Sequence, residues 1–372
     1  MNRKWWARCA TIGMFSCLSL TASPILAVTT FNDGAVHNVS APIDQIEILD
    51  GAGSVPTTVN VLTGAVVGAG QTAFSVNVRD TSVFNMSGGS LFDELFLFNS
   101  SSAHLTGGSI GDDLTPDNNA SVLVTSVTVN DDVEAHGGST MTINGGSFDE
   151  DVESLDNAVI TINGGTFQTG ADAASVSASG SSTINIHAGV FGSGSTTGSG
   201  GFNATDTAVI NIFGGDIAKQ TAGLNASANG VINVYGLGSQ PASINTVGGG
   251  VINFREGSLQ SLVAHGPGVK LSGTDGSLSS IIAEDSSVIR IFGTGFKGFN
   301  GAVDLPYGPI PFAAGNLTGT LADGTPITSV SFSRNLLAGG TRGVIILVPE
   351  PGSIALALLP LLGAVAYRGR RS

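Results

Sequence analysis

Apolar side chains recur at a fixed interval of 19 residues through the first half of the chain. Five successive segments begin at Val83, Ser102, Ser121, Thr140 and Val159. Aligning them produces four apolar columns, whose members are Phe84, Ala103, Val122, Met141 and Ile160; Met86, Leu105, Val124, Ile143 and Ile162; Leu91, Ile110, Val129, Phe148 and Phe167; and Leu95, Leu114, Val133, Val152 and Ala171. Apolar residues two positions apart indicate short strands that bury one face.

Residues suited to tight corners separate these strands. A glycine pair recurs as Gly88-Gly89, Gly107-Gly108, Gly145-Gly146 and Gly164-Gly165. A second turn column holds Asp80, Asn99, Asn118, Gly137 and Asp156. Glycine permits positive φ, and Asn and Asp tolerate left-handed backbone. Short strands joined by corners at one period predict a β-solenoid, in which turns roughly 60 Å around stack about 4.8 Å apart.

The period loosens beyond Thr166 without disappearing. The strand pattern returns at Ile184-Asn185-Ile186, Ile210-Asn211-Ile212, Ile232-Asn233-Val234, Ile252-Asn253-Phe254 and Ile289-Arg290-Ile291, with a weaker copy at Val269-Lys270-Leu271. Counted from Val59, the pattern predicts an all-β fold: a single-stranded parallel β-helix of about 10–12 turns. A two-sheet sandwich is the alternative, but it does not predict a strict period in every column.

The remaining segments suggest five regions. We expect residues 28–55 to form an N-terminal cap and residues 56–299 to form the repeats. Residues 300–348 leave the pattern and predict a small C-terminal β segment that covers the last exposed edge. The two further regions are the terminal segments 1–27 and 349–372.

Residues 1–27 have the features of a secretory signal peptide. Arg3, Lys4 and Arg8 precede an apolar run, and Ala27 ends a small-residue cleavage site for signal peptidase. A single-helix membrane anchor is the alternative, but the run is short for about 30 Å of hydrocarbon. Both cysteines lie in this segment, so the exported chain has no disulfide.

The C-terminus has three successive parts. They are Pro349, Glu350 and Pro351; an apolar run from residue 354 to residue 367; and the basic residues Arg368, Arg370 and Arg371. This arrangement resembles the PEP-CTERM sorting signal of Gram-negative bacteria. The resemblance implies a transmembrane helix that holds the protein transiently in the inner membrane, removal by an exosortase near Pro349, and delivery to the cell surface or extracellular matrix. An ordinary tail anchor is the alternative.

Charge limits the partners of the exported chain. The full chain carries −14, and removing residues 1–27 and 350–372 leaves 8 bases against 27 acids. A chain so acidic does not attract phosphate backbones or anionic lipid, which excludes nucleic acid as a partner.

Carboxylates occupy two adjacent columns at one predicted corner. The first column holds Asp93, Asp112, Asp131 and Glu150, and the second holds Glu94, Asp113, Asp132 and Asp151. Like charges about 4.8 Å apart repel, and Ca²⁺ between turns would relieve the repulsion. Alternatively, Asp suits corners and keeps the rod soluble. The chain lacks the glycine-rich nonapeptide of calcium-binding β-rolls.

The sequence favours a structural or adhesive role without catalytic activity. It has no nucleophile elbow, phosphate loop or zinc signature, and its few bases are not closely paired. The second hypothesis is a carbohydrate- or ice-binding β-helix, whose carbohydrate partner would be extracellular polysaccharide. The third hypothesis is a polysaccharide-degrading enzyme. Two polar columns could match an ordered lattice of ice or glycan. The first holds Ser90, Ser109, Thr128, Ser147 and Thr166, and the second holds Ser87, Thr106, Thr125, Asn144 and Asn163.

Overall fold

The computed structural model describes residues 28–69, 74–167, 175–192, 201–217, 223–238, 244–257, 259, 261–284, 286–299, 301–335 and 342–350. The predicted signal peptide with its cleavage residue Ala27 lies outside these ranges. The same is true of the sorting tail from Pro351 onward, including Arg368, Arg370 and Arg371.

The described residues form a β-solenoid of about 12 turns and contain no helix. Each turn pairs in parallel with the next, residue for residue. Val122, for example, lies opposite Ala103 on one side and Met141 on the other. The predicted all-β solenoid is therefore confirmed, and so is the 19-residue period behind it.

Each regular turn contributes strands to three faces. The first face consists of strands Val36–Val39, Thr58–Val61, Val83–Leu91, Ser102–Ile110, Ser121–Val124, Thr140–Ile143, Val159–Ile162, Thr183–Ile186, Val209–Ile212, Val231–Val234, Val251–Phe254, Val269–Leu271, Val288–Gly298 and Val344–Val348. The second consists of Val66–Val67, the ends of Val83–Leu91 and Ser102–Ile110, then Thr128–Val129, Ser147–Phe148, Thr166–Phe167, Val190–Phe191 and Asp216–Ile217.

The third face runs the whole length of the solenoid. It consists of Thr29–Phe31, Ile46–Ile48, Val76–Val78, Leu95–Leu97, Leu114–Pro116, Val133–Ala135, Val152–Ser154, Val176–Ala178, Gly201–Ala204, Gly223–Ala226, Ile244–Thr246, Ser261–His265, Ser280–Glu284 and Pro326–Asn335. The strands Val303–Asp304, Gly308–Pro309 and Ala314–Leu321 lie outside the three faces.

Like side chains stack in vertical files inside the solenoid. Met86, Leu105, Val124, Ile143 and Ile162 are all fully buried in one file. On the second face the rings of Phe148, Phe167 and Phe191 stack with centroids 4.9 and 4.8 Å apart. No single turn could bury these side chains, so the apolar core exists only because the turns are stacked.

One predicted column continues differently. Val152 pairs with Val176 on the next turn, whereas we expected Ala171 at that position. Ala171 itself lies outside the described residues. The reason is an insertion of five residues at the corner before the third face, since this turn spans 24 residues between equivalent positions.

Polar side chains also stack from turn to turn. Four asparagine amides form a ladder of hydrogen bonds in which each Oδ1 accepts from the Nδ2 of the next turn, with N···O distances of 2.7–2.9 Å. The ladder runs through Asn185, Asn211, Asn233 and Asn253. The turn column adopts left-handed backbone, as expected, at Asp80, Asn99, Asn118, Gly137 and Asp156. Several of its side chains accept the equivalent N–H of the preceding turn; the Asn118 Oδ1, for instance, accepts from Asn99 N at 3.2 Å.

Strands outside the predicted repeats extend the solenoid at both ends. Residues 28–55 add a turn of their own, because Val36–Val39 pairs in parallel with Thr58–Val61 and Ile46–Ile48 with Val76–Val78. At the other end, Pro326–Asn335 extends the third face. Val344–Val348 extends the first face, and Ala314–Leu321 forms an antiparallel hairpin with Pro326–Asn335.

A buried hydroxyl gives a direct test of the stacking. Ser139 is fully buried and its Oγ has no hydrogen-bond partner, while Ala120 and Ala158 occupy the same position one turn before and after. We expect Ser139→Ala to raise the free energy of unfolding by about 1 kcal/mol, because a buried unpaired hydroxyl is removed. Urea denaturation measures the change.

The matched control is Ser182→Ala in a corresponding corner. The Ser182 Oγ donates to the Ser154 carbonyl at 2.7 Å, so this variant loses a hydrogen bond and should be less stable. Equal destabilisation by both substitutions would contradict the stacking at Ser139.

Candidate functional site

The eight predicted carboxylates meet at the corner between the second and third faces. We call this group, defined by the two acidic columns above, the acidic corner. In each turn it links a short second-face strand to the third-face strand, as from Thr128–Val129 to Val133–Ala135. Because the flanking strands pair in register, equivalent acids lie directly over one another.

The second acidic column has a structural role in the backbone. The Asp113 Oδ1 accepts the Asp132 N–H at 3.0 Å, and the Asp132 Oδ1 accepts the Asp151 N–H at 2.8 Å. The Asp151 Oδ1 continues the series by accepting the Ser175 N–H at 2.5 Å. Each of these carboxylates therefore joins its turn to the next, and each keeps a second oxygen outside this bond.

Acids of both columns form two overlapping clusters. Asp112, Asp113 and Asp131 place one carboxylate oxygen each within 4.8 Å of the others. Asp131, Asp132 and Glu150 do the same, so Asp131 belongs to both clusters. All five side chains are half-buried. The structure thus brings together five of the eight predicted ligands in groups that could hold a cation.

Asp93 is the most deeply buried acid of the corner, with 8% of its surface exposed. Its backbone N–H donates to the Ser75 Oγ at 2.7 Å, but its Oδ2 is buried without any hydrogen-bond partner. Burial is the main cause that raises the pKa of Asp93, and the adjoining Asp112 carboxyl raises it further. The first column therefore begins with a buried, unsatisfied oxygen.

Burial and mutual repulsion raise the pKa of several carboxyl groups of the corner. Burial first, and then the adjoining Asp112 carboxyl, raise the pKa of Asp131 to about 8. The pKa of Glu94 and that of Asp113 rise to about 7, again chiefly through burial, and that of Asp132 rises to about 6. Glu153, on the adjoining third-face strand, also has a raised pKa because it is buried.

These shifts predict that stability falls as pH rises. A carboxyl whose pKa is higher in the folded state binds its proton more tightly there, so it stabilises the fold below its unfolded pKa and loses that effect as pH passes the folded value. In a chelating buffer we expect the melting temperature to fall between about pH 5 and about pH 8. Circular dichroism melts across this range measure it.

The Asp131→Asn/Asp132→Asn variant is the comparison, because Asn does not titrate. Its melting temperature should change less over the same pH range. His136, whose pKa is raised by its hydrogen bond to Glu134, changes stability in the same direction and remains in both proteins. A wild-type curve that rises with pH, or that matches the variant, would contradict the prediction.

Members of the second predicted hydroxyl column, which begins at Ser87, form hydrogen bonds between turns. The Thr106 Oγ1 donates to the Met86 carbonyl at 3.2 Å, and the Asn163 side chain donates to Asn144 at 2.9 Å. This column is the corner file that follows the first face, and later turns fill it with other residue types.

An aromatic stack continues that corner file, and sequence reasoning missed it. The rings of His187, Phe213 and Tyr235 lie nearly parallel with centroids 4.8 and 4.9 Å apart, and the Arg255 guanidinium lies 5.1 Å from the Tyr235 ring. Phe213 is 44% exposed. In the sequence these aromatic residues each follow a repeated Ile-Asn-Ile or Ile-Asn-Val triplet. The unequal lengths of the turns hid the fact that they occupy equivalent positions.

Arg255 also lines a cleft of about 510 Å³ near the end of the solenoid. Lys270, Ser272 and Phe292 line it from the sheet, and Asp323 lines it from the hairpin turn. Gly273 allows the hairpin turn to lie close to the sheet, because a Cβ at this position would lie 2.2 Å from the Asp323 Oδ2. The expectation that no bases approach one another is wrong here, since Lys270 pairs in register with Arg290.

No protein family, curated protein or solved structure matches this chain. Within the described residues there is no helix long and apolar enough to cross a membrane.

Proposed function

We propose that this chain is an exported, non-catalytic structural or adhesive protein of the bacterial surface or extracellular matrix, sorted through its PEP-CTERM-like tail. The observation that carries the proposal is that Pro349 and Glu350, which open the tail motif, come directly after the final strand of the solenoid. The final strand ends at Val348, which lies opposite Phe292. An exosortase could therefore remove the tail and release a solenoid that keeps every described strand pairing.

The surface of the solenoid supports a structural role over a catalytic one. The acids of the corner lie side by side on consecutive turns. Glycoside hydrolysis requires two carboxyl groups on opposite sides of the bond that is cleaved. A stack of about 12 turns in register instead suits a rigid spacer or adhesive rod.

Expression in two Gram-negative hosts, with and without an exosortase, tests the sorting proposal. With the exosortase, we expect protein in the medium or on the surface that lacks both residues 1–27 and the tail beyond about Pro351, because both signals have been cut. Without it, the protein should stay in the inner membrane. Mass spectrometry of the termini and membrane fractionation measure the outcome.

A Pro349→Ala/Glu350→Ala/Pro351→Ala variant is the control, and it should stay in the membrane of both hosts. Release of the wild-type chain with its tail intact would contradict the proposal. So would identical fractionation in the two hosts.

Binding of acidic polysaccharide is a second candidate function, and the cleft is the observation that favours it. Arg255, Lys270 and Arg290 make no ion pair with any described residue, although the chain is strongly acidic overall. The acid in the cleft, Asp323, already accepts hydrogen bonds from Thr274 N, Thr325 N and Thr325 Oγ1. The cleft thus offers positive charge to a carboxylate-bearing sugar.

Affinity electrophoresis in gels containing polygalacturonate, with dextran as the neutral comparison, tests this function. We expect polygalacturonate alone to retard the protein, because its carboxylates pair with the two bases. Arg255→Gln/Lys270→Gln should abolish the retardation, whereas Arg342→Gln, which removes an exposed base elsewhere, should preserve it. Equal mobility of all the proteins would exclude the cleft as a polysaccharide site.

A further inference from the structure

We propose that the acidic corner binds Ca²⁺ ions in a file between consecutive turns. The proposal concerns the stability of the rod and does not depend on its sorting or its polysaccharide binding. Three independent features of the described residues support it: the spacing of the oxygen atoms, the buried oxygen of Asp93, and the lack of any basic partner.

The spacing of the oxygens fits a shared ion. Calcium binds oxygen at 2.3–2.6 Å, so two oxygens on the same ion lie at most about 5 Å apart. Asp112, Asp113 and Asp131 meet this limit with one oxygen each, since all three oxygens lie within 4.8 Å of one another. Asp131, Asp132 and Glu150 meet it one turn further on, and the shared Asp131 would bridge the two ions.

Asp93 is an independent indication of a missing ligand. The residue is 8% exposed, its buried Oδ2 has no hydrogen-bond partner, and its carboxyl adjoins that of Asp112. A buried carboxylate oxygen without a partner destabilises a fold, so native structures seldom leave one. A cation held by Asp93 and Asp112 would satisfy this oxygen and extend the file by one turn.

Within the described part of the chain, no basic side chain forms an ion pair with the corner. Five ion pairs join described residues, and none of them includes any of the eight carboxylates. His136, on the adjoining third face, is paired with Glu134 instead. The repulsion along the two columns is therefore uncompensated by side chains.

The geometry favours calcium over magnesium. Asp113 and Asp132 each have one oxygen fixed by the next turn's N–H, so only the other oxygen is free to bind an ion. The positions of these oxygens are set by the stacking of the turns and not by an ion. Calcium accepts six to eight oxygens in flexible geometry, whereas magnesium demands a near-ideal octahedron and gives up water reluctantly.

Thermal melting of the purified full-length protein at one ionic strength and at about pH 9, where Asp131 is ionised, tests the proposal. Relative to EDTA, about 2 mM Ca²⁺ should raise the melting temperature by about 3 °C or more. This concentration is close to the dissociation constants of weak extracellular calcium sites. Magnesium at the same concentration should have a smaller effect. Isothermal titration calorimetry should show at least two bound calcium ions per chain.

Asp112→Asn/Asp131→Asn gives a result that loss of folding cannot imitate. Removing two mutually repelling charges should make this variant melt higher than the wild type in EDTA, and calcium should then have no further effect. Asp216→Asn/Glu256→Gln, which removes two charges from exposed positions, should keep the full calcium response. A response lost equally in both variants would show general charge screening and overturn the proposal.

Calcium titration of the wild type decides the matter if the first variant fails to fold. Heat of binding at no more than one site per chain, or an unchanged melting temperature with calcium, would overturn the proposal. The single substitution Glu150→Gln then locates the site, since it should remove one ion and leave the site of Asp112 and Asp113 occupied.

Discussion

Parallel pairing in register, residue for residue, is the interaction on which this structure depends. It places every side chain directly over its equivalent one turn earlier, as with Val122 between Ala103 and Met141. Stacking of identical chemistry is favourable for aliphatic groups, for phenyl rings such as Phe148 and Phe167, and for amides such as Asn211 and Asn233. The fold is thus stabilised by repetition itself.

The same register acts against the fold wherever the repeated residue is charged. At the acidic corner it brings Asp112 and Asp131 together, and the pKa of Asp131 rises as a result of burial and of that contact. The corner keeps Asp nonetheless, because Asp113 and Asp132 use one oxygen to accept the next turn's N–H. The backbone requirement for Asp and the electrostatic penalty therefore have one origin, and a cation would remove the penalty without disturbing the hydrogen bonds.

The sequence predicted those parts of the structure that depend on equal spacing. The file from Met86 to Ile162 and the adjacent acids at Asp112 and Asp113 follow from a period of 19 residues. Prediction failed where turn length varied. Val176 replaced Ala171 over Val152 because five extra residues between Phe167 and Val176 change the numbering without changing the register of the strands.

Neither the aromatic stack nor the cleft could be predicted from the sequence, for two different reasons. His187, Phe213 and Tyr235 occupy equivalent positions, but their spacings of 26 and 22 residues mask the equivalence. The cleft brings Asp323 to Arg255 through the final hairpin, a long-range contact that no repeat encodes.

The distance between the two sites along the rod has an energetic consequence. In a solenoid each turn contacts only its neighbours, so stability is close to a sum of local terms. The acidic corner occupies turns that contain residues 93–151, whereas the cleft lies in turns that contain residues 253–323. Substitutions at Asp131 and at Arg255 share no partner and should act additively on stability. Calcium would thus stiffen one stretch of the rod and leave the other free to bind.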